Sequence, residues 1–287
     1  MRFKNRVLCV LVLVFAASSM WAKKNVKPLK LLEKPTFKNG EVDYYKVMKG
    51  GVLFQEIALV YSNISPNTTR IYMLMKDKRK HFDWPRDLSH WKKNYYYFDM
   101  DRKTGSMVYG TFNMLDMFKG NNLKGPYFME YKYQGDTMIL TLRYWDGTSS
   151  RESVQRMEHI DKNIPLLEYN LVGFCLSRFF DINSKGVIQT VSAGVLRDPV
   201  KGRLTKKGST TVKTDMGKFK TDRYINELSG DPFLYNLIKN YVKGFVFYIE
   251  KGGARRVIKT EDKLTRRIFY LSDVLTWAEF KKKYIGK

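Results

Sequence analysis

From Val42 onward, apolar and aromatic residues return at every second position, and this period-two pattern dominates the chain. Tyr127, Met129, Tyr131 and Tyr133 fall on one face of a candidate strand, and Gln134-Gly135-Asp136 supplies turn residues. Met138, Leu140, Leu142 and Tyr144 then fall opposite Thr137, Thr141 and Arg143. Two alternating segments around a glycine turn predict an antiparallel hairpin. A second is predicted from 245–250 and 254–260 around Lys251-Gly252-Gly253. Further strands are expected at 42–49, 52–61, 68–76, 94–100, 106–114, 186–196, 208–214, 217–226 and 265–271, with Gly50-Gly51 as another hairpin turn. Strands do not alternate with long helical patterns, so a parallel sheet is not expected.

Short helices interrupt the strands. Leu171, Phe174, Cys175, Phe179 and Ile182 follow a helical stripe over 170–182. Asp231-Pro232 reads as an N-cap with proline at the first helical position, opening a helix over 231–241 that Gly244 closes. Thr276-Trp277-Ala278-Glu279 fits a capping box ahead of a basic terminal helix. The expected fold is mainly β: an antiparallel curved sheet or half-barrel with two to three short helices. Residues 23–40 read as an exposed lead-in, and 41–287 as a single β-rich domain. The stretch 148–170 is the one seam between strand sets, with a continuous sheet expected to cross it.

The N-terminus carries an address. Arg2, Lys4 and Arg6 precede the apolar run 7–17, and small residues Ala16 to Ser19 and Ala22 surround a cleavage site, so 1–22 reads as a secretory signal peptide. The run is too short to span a bilayer. Net charge is +24, and +21 once the three signal cations are removed. In a cytosolic protein such a balance points to nucleic acid. Export redirects it to anionic lipids, envelope polysaccharide or acidic protein surfaces, and no nucleic-acid partner is expected. One cysteine, Cys175, remains after the signal; in an apolar stretch it reads as a small buried hydrophobe.

Catalytic patterns are sparse. His81, Asp83, Asp87 and His90 lie close together, but Pro85 prevents one helix from aligning the two histidines, and the segment reads as a polar loop without metal. Asp99 and Asp101 would share a face on a strand and could serve acid–base chemistry, or open the turn at Arg102-Lys103-Thr104-Gly105. No nucleophile elbow or phosphate-binding glycine loop is present, and no cofactor is expected. Asn63-Ile64-Ser65 and Asn67-Thr68-Thr69 match the glycosylation triplet, which a bacterial exported chain carries by chance.

Aromatic content is high, with 19 Tyr, 18 Phe and 5 Trp. Residues 71–75 and 245–249 are apolar on both faces. A sheet with one wet face alternates more cleanly, so the second face is either covered by helices or lines an apolar groove. The residues assigned to such a ligand-binding groove are Tyr131, Tyr133, Tyr144, Trp145, Phe245 and Phe247.

Three segments carry a family resemblance: the acidic turn and helix Asp161-Lys162-Asn163 through Arg178, the strand Gly217-Lys218-Phe219-Lys220-Thr221, and the hairpin from Phe245 to Lys259. Over about half of the mature chain they resemble a bacterial exported family of unknown function, whose periplasmic β-rich members are similar to the half-barrel of lipoprotein carriers. The resemblance implies a fold and an address, without a catalytic motif. The resulting expectation is a non-enzymatic periplasmic protein that binds a hydrophobic or amphipathic envelope component, such as a lipid, a lipoprotein, an anionic envelope surface or an envelope partner protein. The alternatives are an envelope hydrolase using Asp99, Asp101 or His81, and a secreted surface-interaction protein.

Overall fold

The computed structural model describes residues 27–76, 84–85, 88, 96–113, 124–134, 137–158, 160–191, 199–228, 245–263 and 265–286. Alternating residues give the strands β1 (Glu41–Lys49), β2 (Val52–Ser65), β3 (Thr68–Lys76), β4 (Tyr96–Asp101), β5 (Met107–Asn113), β6 (Gly125–Gln134) and β7 (Thr137–Trp145). They continue as β8 (Ser150–Met157), β9 (Leu166–Glu168), β10 (Ile188–Val191), β11 (Val200–Thr214), β12 (Gly217–Leu228), β13 (Phe245–Glu250), β14 (Val257–Asp262) and β15 (Arg267–Thr276). All belong to one 15-stranded sheet in the order β8-β7-β6-β5-β4-β3-β2-β1-β15-β14-β13-β12-β11-β10-β9. Pairing is antiparallel except between β9 and β10.

Connectivity alone forces this sheet to curl. Laid flat at ~4.8 Å per strand, its two edges would lie about 67 Å apart. The chain from Met157 in β8 to Leu166 in β9 can span at most about 32 Å. The edges therefore swing toward each other, and the Leu166 amide donates to Ser106 Oγ beside β5 at 3.2 Å. Irregular registers at Tyr44/Tyr45, Val47/Met48, Asp99/Met100 and Lys206/Gly208 add local twist that supports the curvature. Among the described residues β8 and β9 do not pair, so the sheet stays an open half-barrel.

The expected seam at 148–170 contains β8, β9 and the connection between them, which are the two edges of the sheet. The two strand sets join through β1 and β15, the first and last strands, and the sheet does not cross that seam.

Helix α1 (Tyr169–Phe179) lies inside the curve, near the expected 170–182. Phe174 meets Tyr45 at 5.2 Å and Phe269 at 5.4 Å between ring centroids, and Cys175, Leu176, Phe179 and Phe180 are buried with them. Free Cys175 is buried, as the sequence suggests, and burial pushes its thiol pKa up to about 12. At the C-terminus Thr276 caps α2 (Trp277–Phe280), with Glu279 returning the capping-box bond, and a π-helical turn follows over Lys281–Ile285. Phe280 and Trp84 cover Tyr44, Val60, Tyr72 and Leu74 on the outer face of β1–β3. That cover explains why β3 is apolar on both faces.

The lead-in differs from expectation. Residues 27–40 are not simply exposed, since they form a strap over the C-terminal end of α1. Leu29 is buried, Leu31 bridges Phe180, and the Leu32 and Thr36 amides donate to the carbonyls of Phe179 and Arg178. Gly186 permits the strap's close approach: a Cβ there would sit 2.3 Å from the Pro28 carbonyl oxygen. The expected signal peptide, the 231–241 helix and His81, His90 and His159 lie outside the described residues.

Candidate functional site

The sheet places the six expected groove residues unequally. Tyr131 on β6 and Phe247 on β13 are fully buried in the main core. Tyr133, Tyr144 and Phe245 are half-buried against that core, and Phe245 stacks on Phe247 at 5.9 Å. Trp145 follows Tyr144 on β7, and alternation of faces turns it away from the other five. Tyr131 faces Leu140 and Tyr133 faces Met138 across β6–β7, as the hairpin pattern requires.

The paired-carboxylate expectation divides in the same way. Both Asp99 oxygens accept from Arg70, at 2.7 and 2.8 Å, under an Arg70 guanidinium 4.1 Å from the Tyr97 ring. Asp101 Oδ1 accepts from the Lys103 and Thr104 amides, which closes the β4–β5 turn. Each carboxylate is thus used locally. Among the described residues, no group of three or more His, Cys, Asp or Glu is placed to hold a metal, and no helix is long and apolar enough to cross a membrane.

Two clusters of charge stand out, and sequence reading missed both. The first is interior. Arg178, at the end of α1, is completely buried; it donates to Glu41 Oε1 of β1 and, at 3.0 Å, to the Ala254 carbonyl in the β13–β14 turn. Arg256 approaches Glu41 at 3.3 Å and Asp43 at 3.7 Å, and the Tyr61 hydroxyl donates to Asp43 at 3.2 Å. The Arg178 guanidinium lies 5.3 Å from the Tyr61 ring, on which Phe37 of the strap stacks at 4.6 Å. Burial raises the carboxyl pKa of Asp43. Burial also pushes Glu41 up, but Arg178, the Lys38 amide and Arg256 outweigh it and hold Glu41 below the usual value. This cluster ties the strap, β1, β2, α1 and the β13–β14 turn together.

The second cluster is exposed. Hairpin β11–β12 extends beyond β13, whose pairing with β12 ends at Thr221↔Glu250. Val212 and Phe219 face each other on its inner side and pack into the core. On the outer side Lys213 lies directly opposite Lys218, and Lys220 follows on the same face. All three are exposed, and among the described residues no carboxylate pairs with them. Nearer the sheet the hairpin's cations do have partners: Lys206 with Asp222 at 2.7 Å and Lys207 with Glu227 at 2.8 Å. At the tip Asp215 pairs with Lys46 at 2.6 Å, and Met216 stands 40% exposed. Lys46 is two residues from Tyr44, which packs on Tyr284 at 4.5 Å, so the tip and the C-terminal turn flank the same face of β1. That turn adds exposed Lys281 and Lys282. A signal was present in the sequence: a two-residue turn at Asp215-Met216 sets Lys213 against Lys218.

No family model matches this chain, and no curated protein matches it. Two solved structures are similar at low identity. One is a "putative lipoprotein" from Parabacteroides distasonis, at 9% identity and a TM-score of 0.28, covering 86% of this chain and 99% of that one. The other is a "putative exported protein with YmcC-like fold" from Bacteroides fragilis, at 9% identity and a TM-score of 0.26, covering 88% of this chain and 99% of that one.

Proposed function

We propose that this chain is an exported, non-enzymatic protein of the bacterial periplasm whose outer basic face binds an anionic amphipathic component of the cell envelope. The observation that carries this reading is the tip of hairpin β11–β12. Lys213 and Lys218 are held opposite each other and next to Lys220, and among the described residues no carboxylate forms an ion pair with any of the three. Like charges placed directly across a strand pair are destabilising, so an outside anion accounts for keeping them together. Met216, in the turn that joins these two strands, is an exposed apolar side chain. That combination suits a headgroup carrying negative charge joined to an acyl chain.

The signal peptide expected at 1–22 supports the address, since export places envelope lipids and lipoproteins within reach. The local engagement of Asp99 and Asp101 supports the non-enzymatic side of the reading. Burial of Tyr131 and Phe247 favours the outer surface over the concave aromatic face as the place of contact. Cosedimentation with phosphatidylglycerol vesicles, against phosphatidylcholine vesicles, tests it. The chain is expected to pellet with the anionic vesicles alone, with binding that weakens in high salt. Lys213→Gln, Lys218→Gln and Lys220→Gln together should reduce it by at least about tenfold, near 1 kcal/mol per interfacial cation. Equal binding to both vesicle types, or an unaffected triple variant, would overturn the reading.

A further inference from the structure

The two edges of the sheet are built differently. Edge strand β9 is three residues long and entirely buried. The opposite edge, β8, is eight residues long, and of its side chains only Met157 is fully buried. Among the described residues nothing pairs with the free side of β8. A long exposed edge is a template for another strand, and proteins normally block it with charges that repel an incoming copy.

Here the charges are arranged the other way. Glu152, Val154 and Arg156 occupy the outward face of β8, all exposed, with Val154 at 58%. Two copies of one strand related by a two-fold axis normal to the sheet pair antiparallel about a residue that lies opposite itself. Centred on Val154, that register sets Glu152 opposite Arg156 of the second copy, Arg156 opposite Glu152, and Val154 opposite Val154. On the inner face Ser153 then meets Gln155. No neighbouring register does this. Centring on Glu152 or Arg156 puts that charge against itself, centring on Ser153 sets Glu152 against Val154, and centring on Gln155 sets Val154 against Arg156 and Glu152 against Glu158.

We infer that β8 is a self-pairing edge, through which two copies of this chain join their sheets in the register centred on Val154. The occupant is a second copy because the strand's own charge order complements its reverse. The inference does not rest on the lipid-binding reading, since β8 and the tip of β11–β12 are separate surfaces. One strand of this length makes a small interface, so the dimer is weak and concentration-dependent.

Sedimentation velocity of the full chain over a concentration series tests it. A reversible monomer–dimer equilibrium is expected. Glu152→Arg alone, or Arg156→Glu alone, places like charges opposite one another at both ends of the pair and should weaken the dimer roughly tenfold. The exchange of both residues restores complementarity and should recover it. Glu152 also holds Arg143 at 2.8 Å within the chain, a contact that the double exchange does not restore. Recovery of the dimer therefore reports the pairing between copies, and thermal melting confirms that each variant is folded. Val154→Pro should abolish the dimer, since it obstructs pairing at the centre. A chain that stays monomeric at every concentration, or a double exchange no better than either single one, would overturn the inference.

Discussion

The interior charges around Arg178 and the surface charges on hairpin β11–β12 follow opposite rules. Inside, two guanidinium groups and two carboxylates lie among Tyr61, Phe37 and the Ala254 carbonyl, each near an opposite charge. Outside, Lys213, Lys218 and Lys220 gather without an ion pair to any carboxylate among the described residues. Burial explains the first arrangement, because an unpaired ion in the core costs several kcal/mol. Water screens the second, so the fold tolerates it at a modest cost in stability. The chain's positive excess is thus not evenly spread. Charges that hold the fold are balanced, and the surplus is left where a partner can reach it.

Removing Arg178 tests the structural half of this contrast with the largest expected effect. Arg178→Met fills much of the same volume but leaves Glu41 and Asp43 buried with Arg256 as their one remaining cationic partner among the described residues. A loss of about 3–5 kcal/mol is expected in urea unfolding, the range for breaking one side of a buried ion pair. A loss below about 1 kcal/mol would show that Arg256 and water can replace it, and the distinction between the two regions would weaken.

Acid titration separates the two buried carboxylates. Asp43, raised by burial, binds its proton more tightly folded than unfolded, so it takes stability away as pH rises through its folded pKa. Glu41, lowered by Arg178 and its hydrogen bonds against the effect of burial, adds stability above the ordinary carboxylate pKa. That contribution disappears as pH falls through its folded value. Asp43→Asn should therefore remove a decline in stability between acidic and neutral pH, while Glu41→Gln should remove an acid-side gain. Urea midpoints measured across that range decide it; parallel profiles for the two variants would contradict the assignment.

Local signals were legible and long-range ones were not. The hairpins β6–β7 and β13–β14 and the Thr276/Glu279 capping box depend on residues within a few positions, and each appears where the pattern places it. Strand β8 escaped notice because Ser150 to Met157 is mostly polar, as an edge strand with a wet face and a free side can be. The joining of β1 to β15 has no local signature at all. Arg178 looked like an ordinary basic residue at a helix end, because its partner Glu41 lies 137 positions away. Trp145 turns away from the other five expected groove residues for a simpler reason, since neighbouring residues on a strand cannot share a face.

The smallest expected effect divides the two regions most sharply. Lys213→Glu replaces a like-charge pair with an opposite pair directly across the strands, because Lys213 faces Lys218. Cross-strand pairs of this kind are worth roughly 0.2–1 kcal/mol, so the variant should be slightly more stable than the wild type. Its affinity for phosphatidylglycerol vesicles should fall, because the cation cluster is interrupted. A functional contact kept at the expense of stability gives these two opposite signs, whereas a merely solvated lysine gives the gain in stability without the loss of binding. Urea midpoints and vesicle binding measured on the same preparation distinguish the cases. Stability that drops together with binding would mean that Lys213 serves the fold, and the separation between paired interior and unpaired surface would fail at its clearest position.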